Sequence, residues 1–384
     1  MCYALGGIVV IVDAGGCAGN ICGFDEPRWQ PDYEQTLTAL VSGQKDASPD
    51  GASSQRRPVR VGAVFSAGLR DMDAILGRDE ALVAKLEEAC RTIHASFIAL
   101  VGTPVPAVIG TDLLAGARMA ERSASLPCIA IPTDGMHLYD RGIEETLLAL
   151  VKAFSTDDRT GLHPPSGEHR ISCVLGLNPL DLFDPEWTVS IRGALLEKGY
   201  DEVLLPGMEG GLEAVIRCPE AVKNYVVSPA GIAAARYLEQ KFGIPYEITF
   251  PADPFLVLEK DPLRVIGALS PDARILVVHQ QVFANAIRSA LRERGMKGFI
   301  QAATWFDLKE SIAIEGDLQL REEEDFIDLV REGKFDLIIA DPALKPMADP
   351  YEGAWIDAFH FAVSGQAAID QRRMRRRKDK GCRT

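Results

Sequence analysis

The stretch DAGGCAGNICGFDEPRW, residues 13–29, sets Cys17 and Cys22 at Cys-x4-Cys spacing in a loop of small residues, directly after an apolar run. Thiolates are soft ligands, and this is one of the spacings that hold iron–sulfur clusters. Glycines around Cys17 let the backbone approach closely and aim N–H groups at sulfide. A third thiol, Cys2, precedes the apolar run whose far end delivers Cys17. Glu26 and Arg28 put charge beside the pair, either to tune a bound cluster or to pair across a subunit contact. Further along, Asp134, His137 and Tyr139 of PTDGMHLYD follow a strand-like run. A cleft of an α/β domain opens at such a strand end, which makes His137 a candidate proton donor.

Other chemistry is absent from the sequence. There is no Walker phosphate loop, no GxGxxG after a strand, no HExxH and no GxSxG. GMEGG, residues 207–211, has the wrong spacing for a phosphate cradle. The six histidines, at 94, 137, 163, 169, 279 and 360, show no metal-ligand spacing. Cys90, Cys128, Cys173 and Cys218 sit in apolar text and read as small buried hydrophobes, and Cys382 reads as exposed.

The elements that must position these residues alternate strand and helix. VRVGAVFSAG, FIALVG and LPCIAIPTDG read as strands, separated by helical stretches such as DEALVAKLEEACRTI and by DLLAGARMAER, which Asp112 caps. The opening ALGGIVVIV reads as a buried strand. The rhythm restarts after a Gly/Ser/Pro-rich loop, Ser155 to Arg170, with RISCVLGL, DEVLLPG, NYVVSP and IPYEITF as strands and a helix ending at Gly243. It restarts again near Asp272 with ARILVVHQ, KGFIQAATW and FDLIIADPAL. Such repetition is the mark of parallel α/β sheets, and it divides the chain at 1–160, 161–258 and 259–384.

At 384 residues the chain is too long for one core, and 47% hydrophobic with 25% charged residues suits a soluble globular protein. A net charge of −14 argues against a general nucleic-acid binder, the basic tail QRRMRRRKDK reading as a solvated terminus. No apolar run is long enough for a membrane span and no leader is evident, so the expected location is the cytoplasm.

Several segments, in order along the chain, resemble the nitrogenase component 1 superfamily. CYALGG, residues 2–7, resembles the family's Cys-Ala-Tyr-Ala-Gly element, which carries the first cluster ligand. DAGGC, ending at Cys17, resembles its His-Gly-Pro-x-Gly-Cys element, which carries the second. FSAGLRDMDAILGRDEALVAKLEE, VGTPVPAVIGTDL, NYVVSPAGIAAARYLEQKFGIPYE and FDLIIADPAL resemble later segments of the same family. The resemblance implies an α/β fold of three Rossmann-like doubly wound parallel-sheet domains. It implies an iron–sulfur cluster, [4Fe–4S] or P-cluster-like, between two subunits of a homodimer or of a heterodimer with a paralogue. Cys17 would be a ligand, and either Cys2 or Cys22 would complete the pair from each chain. Electrons would come from an ATP-dependent iron–sulfur reductase resembling the nitrogenase iron protein and pass to a small molecule. The alternative is a scaffold on which a metallocofactor is assembled. The family's third cluster cysteine would fall at Thr103 or Pro104, and its catalytic-cofactor cysteine near Val227 or Ser228, so dinitrogen reduction is not expected.

Overall fold

The structure, a computed structural model, describes residues 1–17, 62–69, 79–155, 169–181, 185–258 and 261–365. The first sheet is built from β1 (Gly7–Ile11), β2 (Ala63–Ser66), β3 (Phe97–Val101) and β4 (Cys128–Ile131), in the order β2-β1-β3-β4. Every pairing is parallel, with Ile8 opposite both Ala63 and Ile98. A central parallel strand is covered on both faces, which is why β1 is apolar throughout and fully buried. Ile8, Val10, Ile98 and Leu100 pack with Leu86, Ala117 and Ala120 of the helices Asp79–Thr92 and Leu113–Ala124. Each buried Ile or Leu contributes about 1.5–3 kcal/mol. Asp112 caps the second of these helices, its carboxylate accepting from the Ala115 N–H at 2.9 Å. The run ALGGIVVIV becomes strand only from Gly7. Residues Cys2–Leu5 form a 3-10 turn that Gly6 ends with a left-handed φ of 82°.

The second sheet holds β5 (Ile171–Leu175), β6 (Glu202–Leu204), β7 (Lys223–Val226) and β8 (Tyr246–Ile248), in the order β6-β5-β7-β8 and again all parallel. The helix Ile232–Phe242 ends as expected at Gly243, whose φ of 71° closes the cap. The third sheet holds β9 (Ile275–Val278), β10 (Ile300–Thr304), β11 (Leu318–Gln319), β12 (Leu337–Ala340) and β13 (Ala354–Asp357). Its order is β11-β10-β9-β12-β13. The edge strands β11 and β13 escape the sequence reading, because two and four residues are too few to show a period. Leu276, Val278, Phe326, Val330 and Ile338 form the core beneath the helix Glu323–Gly333.

The chain forms two compact units, one of Met1–Met136 with Gly207–Val215, the other of His137–Pro206 with Ile216–Thr384. The first contains the first sheet, and the second contains the other two. The helix Tyr139–Phe154, read from sequence as the end of the first domain, groups with the second unit. Its acidic residues explain why. Buried Asp140 accepts from the Asp307 N–H at 2.5 Å, and Glu144 pairs with Lys309 at 3.5 Å, both on the segment after β10.

Candidate functional site

In open parallel sheets ligands lie outside the carboxyl ends of the strands, where the strand order reverses. In the first sheet that point falls between β1 and β3, because successive crossovers leave β1 in opposite directions. Cys17 stands there, half-buried, four residues after Asp13 and behind Gly15 and Gly16. Thr103 stands across from it after β3. Its hydroxyl donates to the Val12 carbonyl at 2.8 Å, tying the two strand ends together. Buried Asp13 accepts from Ser66 Oγ at 2.6 Å and so ties in the end of β2. The carboxyl ends of β1, β2 and β3 are thus tied together in the stretch that leads to Cys17.

Cys2 lies at the opposite end of β1. The five residues of β1 hold the two thiols apart by about 13 Å or more. Burial pushes the Cys2 thiol up to about 11. Cys22, Glu26 and Arg28 lie outside the described residues. Thr103, where the third cluster cysteine would stand, spends its hydroxyl on the backbone instead. Among the described residues no group of three or more His, Cys, Asp and Glu could hold a metal ion. Of the three sequence candidates, Cys17 and Cys2 are among the described residues, on opposite sides of β1. Cys90 and Cys128 are half-buried, and Cys173 and Cys218 are fully buried with sulfurs 3.6 Å apart, as their apolar settings foretold.

A second constellation fills the reversal points of the other two sheets. The second sheet reverses between β5 and β7, and the third between β9 and β12. After β5 the chain turns at Gly176, φ 85°, where a Cβ would sit 2.6 Å from Ser228 Oγ. Only glycine allows this approach, and Ser228 uses it to donate to the Gly176 carbonyl at 2.6 Å. The position near which the family's catalytic-cofactor cysteine falls thus carries a hydroxyl committed to the turn. The turn continues to Asn178, whose amide donates to Asp181 Oδ2 at 2.8 Å. After β9 comes His279, after β12 Asp341, and after β13 His360, whose N–H donates to Asp341 Oδ2 at 2.9 Å.

These loops meet inside the second unit. Gln280 donates to the Val227 carbonyl at 2.8 Å, joining the ends of β9 and β7. Tyr139 donates its hydroxyl to Asp181 Oδ1, and His360 Nε2 lies 3.4 Å from the same oxygen and 3.3 Å from the Tyr139 oxygen. Phe306 stacks on the His360 ring at 4.4 Å, and His279 lies 4.8 Å from it, centroid to centroid. His279, Asp181 and His360 are all buried. Burial, with His360 as neighbour, holds His279 well below its ordinary value, so it is neutral. Burial and Asp181 raise Tyr139 well above the phenol range.

Of the sequence candidates near this region, Tyr139 joins the cluster, whereas His137 is exposed two residues before it. Asp181, His279 and His360 were missed as site residues. His279 and His360 looked scattered because sequence spacing says nothing of strand order. The available signal was that each directly follows a strand or its turn.

Three sheets of parallel strands, each covered by helices, define an α/β protein with Rossmann-like domains. Residues 50–257 match the family described as Nitrogenase component 1 type Oxidoreductase, and the chain belongs to that family. A curated relative, the nitrogenase iron-molybdenum cofactor biosynthesis protein NifE of Clostridium pasteurianum, is 28% identical over 185 residues. That match covers 47% of this chain and 38% of the relative, so the chain spans well under half of that protein in the comparison. Among solved structures, nitrogenase Cp1 at pH 6.5 superposes with a TM-score of 0.59 at 13% identity, covering 94% of this chain and 84% of that one. Nitrogenase Cp1 at pH 5 gives 0.58 at 15% identity, with 92% and 82% covered. These likenesses establish the fold, as the resemblance in sequence led one to expect. Among the described residues no helix is long and apolar enough to cross a membrane.

Proposed function

We propose that this protein is a component 1-type subunit that holds an iron–sulfur cluster through Cys17 and takes part in reducing a small molecule. The observation that carries the reading is the position of Cys17, a half-buried thiol on the segment that leaves β1, one of the two strands flanking the reversal point of the first sheet. A [4Fe–4S] cluster takes about four thiolates. Cys17 and Cys22 from each of two chains supply that number, whether the second chain is a copy or a paralogue. Cys2, at the far end of β1, belongs to the core in this reading. Bound there, such a group would supply one-electron chemistry at low potential. The electron source is a separate ATP-dependent iron–sulfur reductase, and both partners share the cytoplasm.

The chain's own part is to bind, orient and exclude water around the acceptor. The loops after β5, β9 and β13 suit this task, because they bring Asp181, His279 and His360 into one buried region, where Tyr139 from the start of its helix joins them. A second reading, a scaffold for metallocofactor assembly, is favoured by the cofactor-biosynthesis relative.

Anaerobic purification with iron and sulfide analysis and EPR tests the shared premise. A protein that stays iron-free after anaerobic reconstitution would rule out both readings. Turnover with a cognate reductase and ATP separates them. Reoxidation of the reduced protein by a small molecule supports the reductase, and transfer of a metal cluster to an acceptor protein without such turnover supports the scaffold.

A further inference from the structure

His360 has the bonding pattern of an oriented acid–base group. The Tyr139 hydrogen is used on Asp181, so the Tyr139 oxygen accepts, and His360 Nε2 must carry a hydrogen shared between that oxygen and Asp181 Oδ1. Asp181 is itself fixed, since Asn178 donates to its other oxygen at 2.8 Å and the Asp181 N–H donates to Asn178 Oδ1 at 3.1 Å. His360 Nδ1 is buried and has no hydrogen-bond partner. The same is true of His279. Its Nε2 donates to the Phe359 carbonyl at 3.3 Å, and its buried Nδ1 is without a partner. Buried polar atoms in native proteins are nearly all satisfied, so two orphaned ring nitrogens on neighbouring histidines call for an occupant. A carboxylate that orients one imidazole nitrogen while the other awaits a reactant is the arrangement used for proton transfer.

We propose that Asp181 and His360 form an acid–base dyad whose working atom is His360 Nδ1, serving a small molecule that bonds to it and to His279 Nδ1. Phe306 covers a face of the His360 ring, so the molecule meets its edge. His279, neutral, offers a lone pair and selects an N–H or O–H group. His360, when protonated, offers Nδ1–H and selects an atom with a lone pair. The ligand class is thus a small uncharged molecule with a donor and an acceptor close together. In the transfer step the Nδ1–H bond breaks, its electron pair stays on the ring, and the proton joins the ligand's lone pair. No redox change accompanies it, and Nε2–H remains on Asp181. The groups facing His360 are Asp181 and Tyr139 from the second-sheet side and His279 from after β9, with Asp341 on its backbone N–H and Asp140 beside the Tyr139–Asp181 pair. The dyad stands whether or not Cys17 holds iron.

The test is NMR of the full chain labelled with 15N-histidine, with iron measured on the same samples. In wild type, neutral His360 is expected as the Nε2–H tautomer and gains its second proton at Nδ1, while His279 stays neutral. In D181N the His360 Nε2–H signal is expected to shift, because a bond to a carboxylate becomes a bond to a neutral amide. Pyrazole, which carries N–H and N side by side, is expected at millimolar concentration to shift both Nδ1 signals in wild type and neither residue's environment in H360Q. A neutral Nδ1–H tautomer of His360, an unmoved Nε2–H signal in D181N, or no pyrazole shift would overturn the assignment. The first arm needs no variant, so misfolding of D181N leaves the proposal refutable. Absence of iron with the histidine behaviour intact would sink the cluster reading alone.

Discussion

Cys17 and His360 both follow the carboxyl ends of parallel strands, Cys17 after the central β1 and His360 after the edge strand β13, and their surroundings differ in kind. Cys17 is half-buried behind two glycines, and the strand ends near it are tied by Thr103, which donates to the Val12 carbonyl, and by Asp13, which accepts from Ser66 Oγ. His360 is 1% exposed and sits in a web of side-chain bonds and ring contacts. An open strand end suits a ligand that is large, charged and shared with another subunit. A closed web suits selection of a small molecule by hydrogen bonds, because buried polar groups left unpaired are costly. One fold thus presents two kinds of surroundings at the carboxyl ends of its strands, and the side chains decide between them.

The difference can be broken at the closed end first. Asp181→Ala leaves Tyr139 and His360 buried without their shared acceptor, and is expected to destabilise the second unit by about 3 kcal/mol in denaturant unfolding. An equal loss from Asp13→Ala, which removes the acceptor of the Ser66 hydroxyl, would erase the contrast. The next effect is on pH. His279 is held below its ordinary value in the folded state, so the unfolded chain binds the extra proton as pH falls through about 6.5. Stability should therefore decrease toward acid by up to about 1.4 kcal/mol per pH unit from this residue, and His279→Phe should flatten that slope in thermal melts. Smallest is Thr103→Val, which loses one hydrogen bond to the Val12 carbonyl and is expected to cost about 1 kcal/mol while leaving iron content unchanged.

The two regions were also unequally legible. Cys17 was visible because its chemistry is local, a thiol in a run of glycines after an apolar strand. The parallel sheets were visible because β1, β3, β9 and β12 are buried on both faces and so read as continuous apolar runs. The partner of Cys17 was less so. Cys2 and Cys22 flank it in sequence alike, and only the extended course of β1 shows that Cys2 is carried to the opposite end. Asp181, His279 and His360 follow strands of two different sheets, and no periodicity records which strands are neighbours. Tyr139 was drawn from a loop read as part of the first domain, whereas Asp140 and Glu144 bind its helix to the segment after β10.

The most direct measurement is the iron and sulfide content, with EPR of the reduced protein, of anaerobically purified wild type, Cys17→Ala and Cys2→Ala. The account predicts a cluster signal in wild type, its loss in Cys17→Ala, and full retention in Cys2→Ala and in a Cys90→Ala control. Full iron in Cys17→Ala, or its loss in Cys2→Ala with the fold intact, would contradict it.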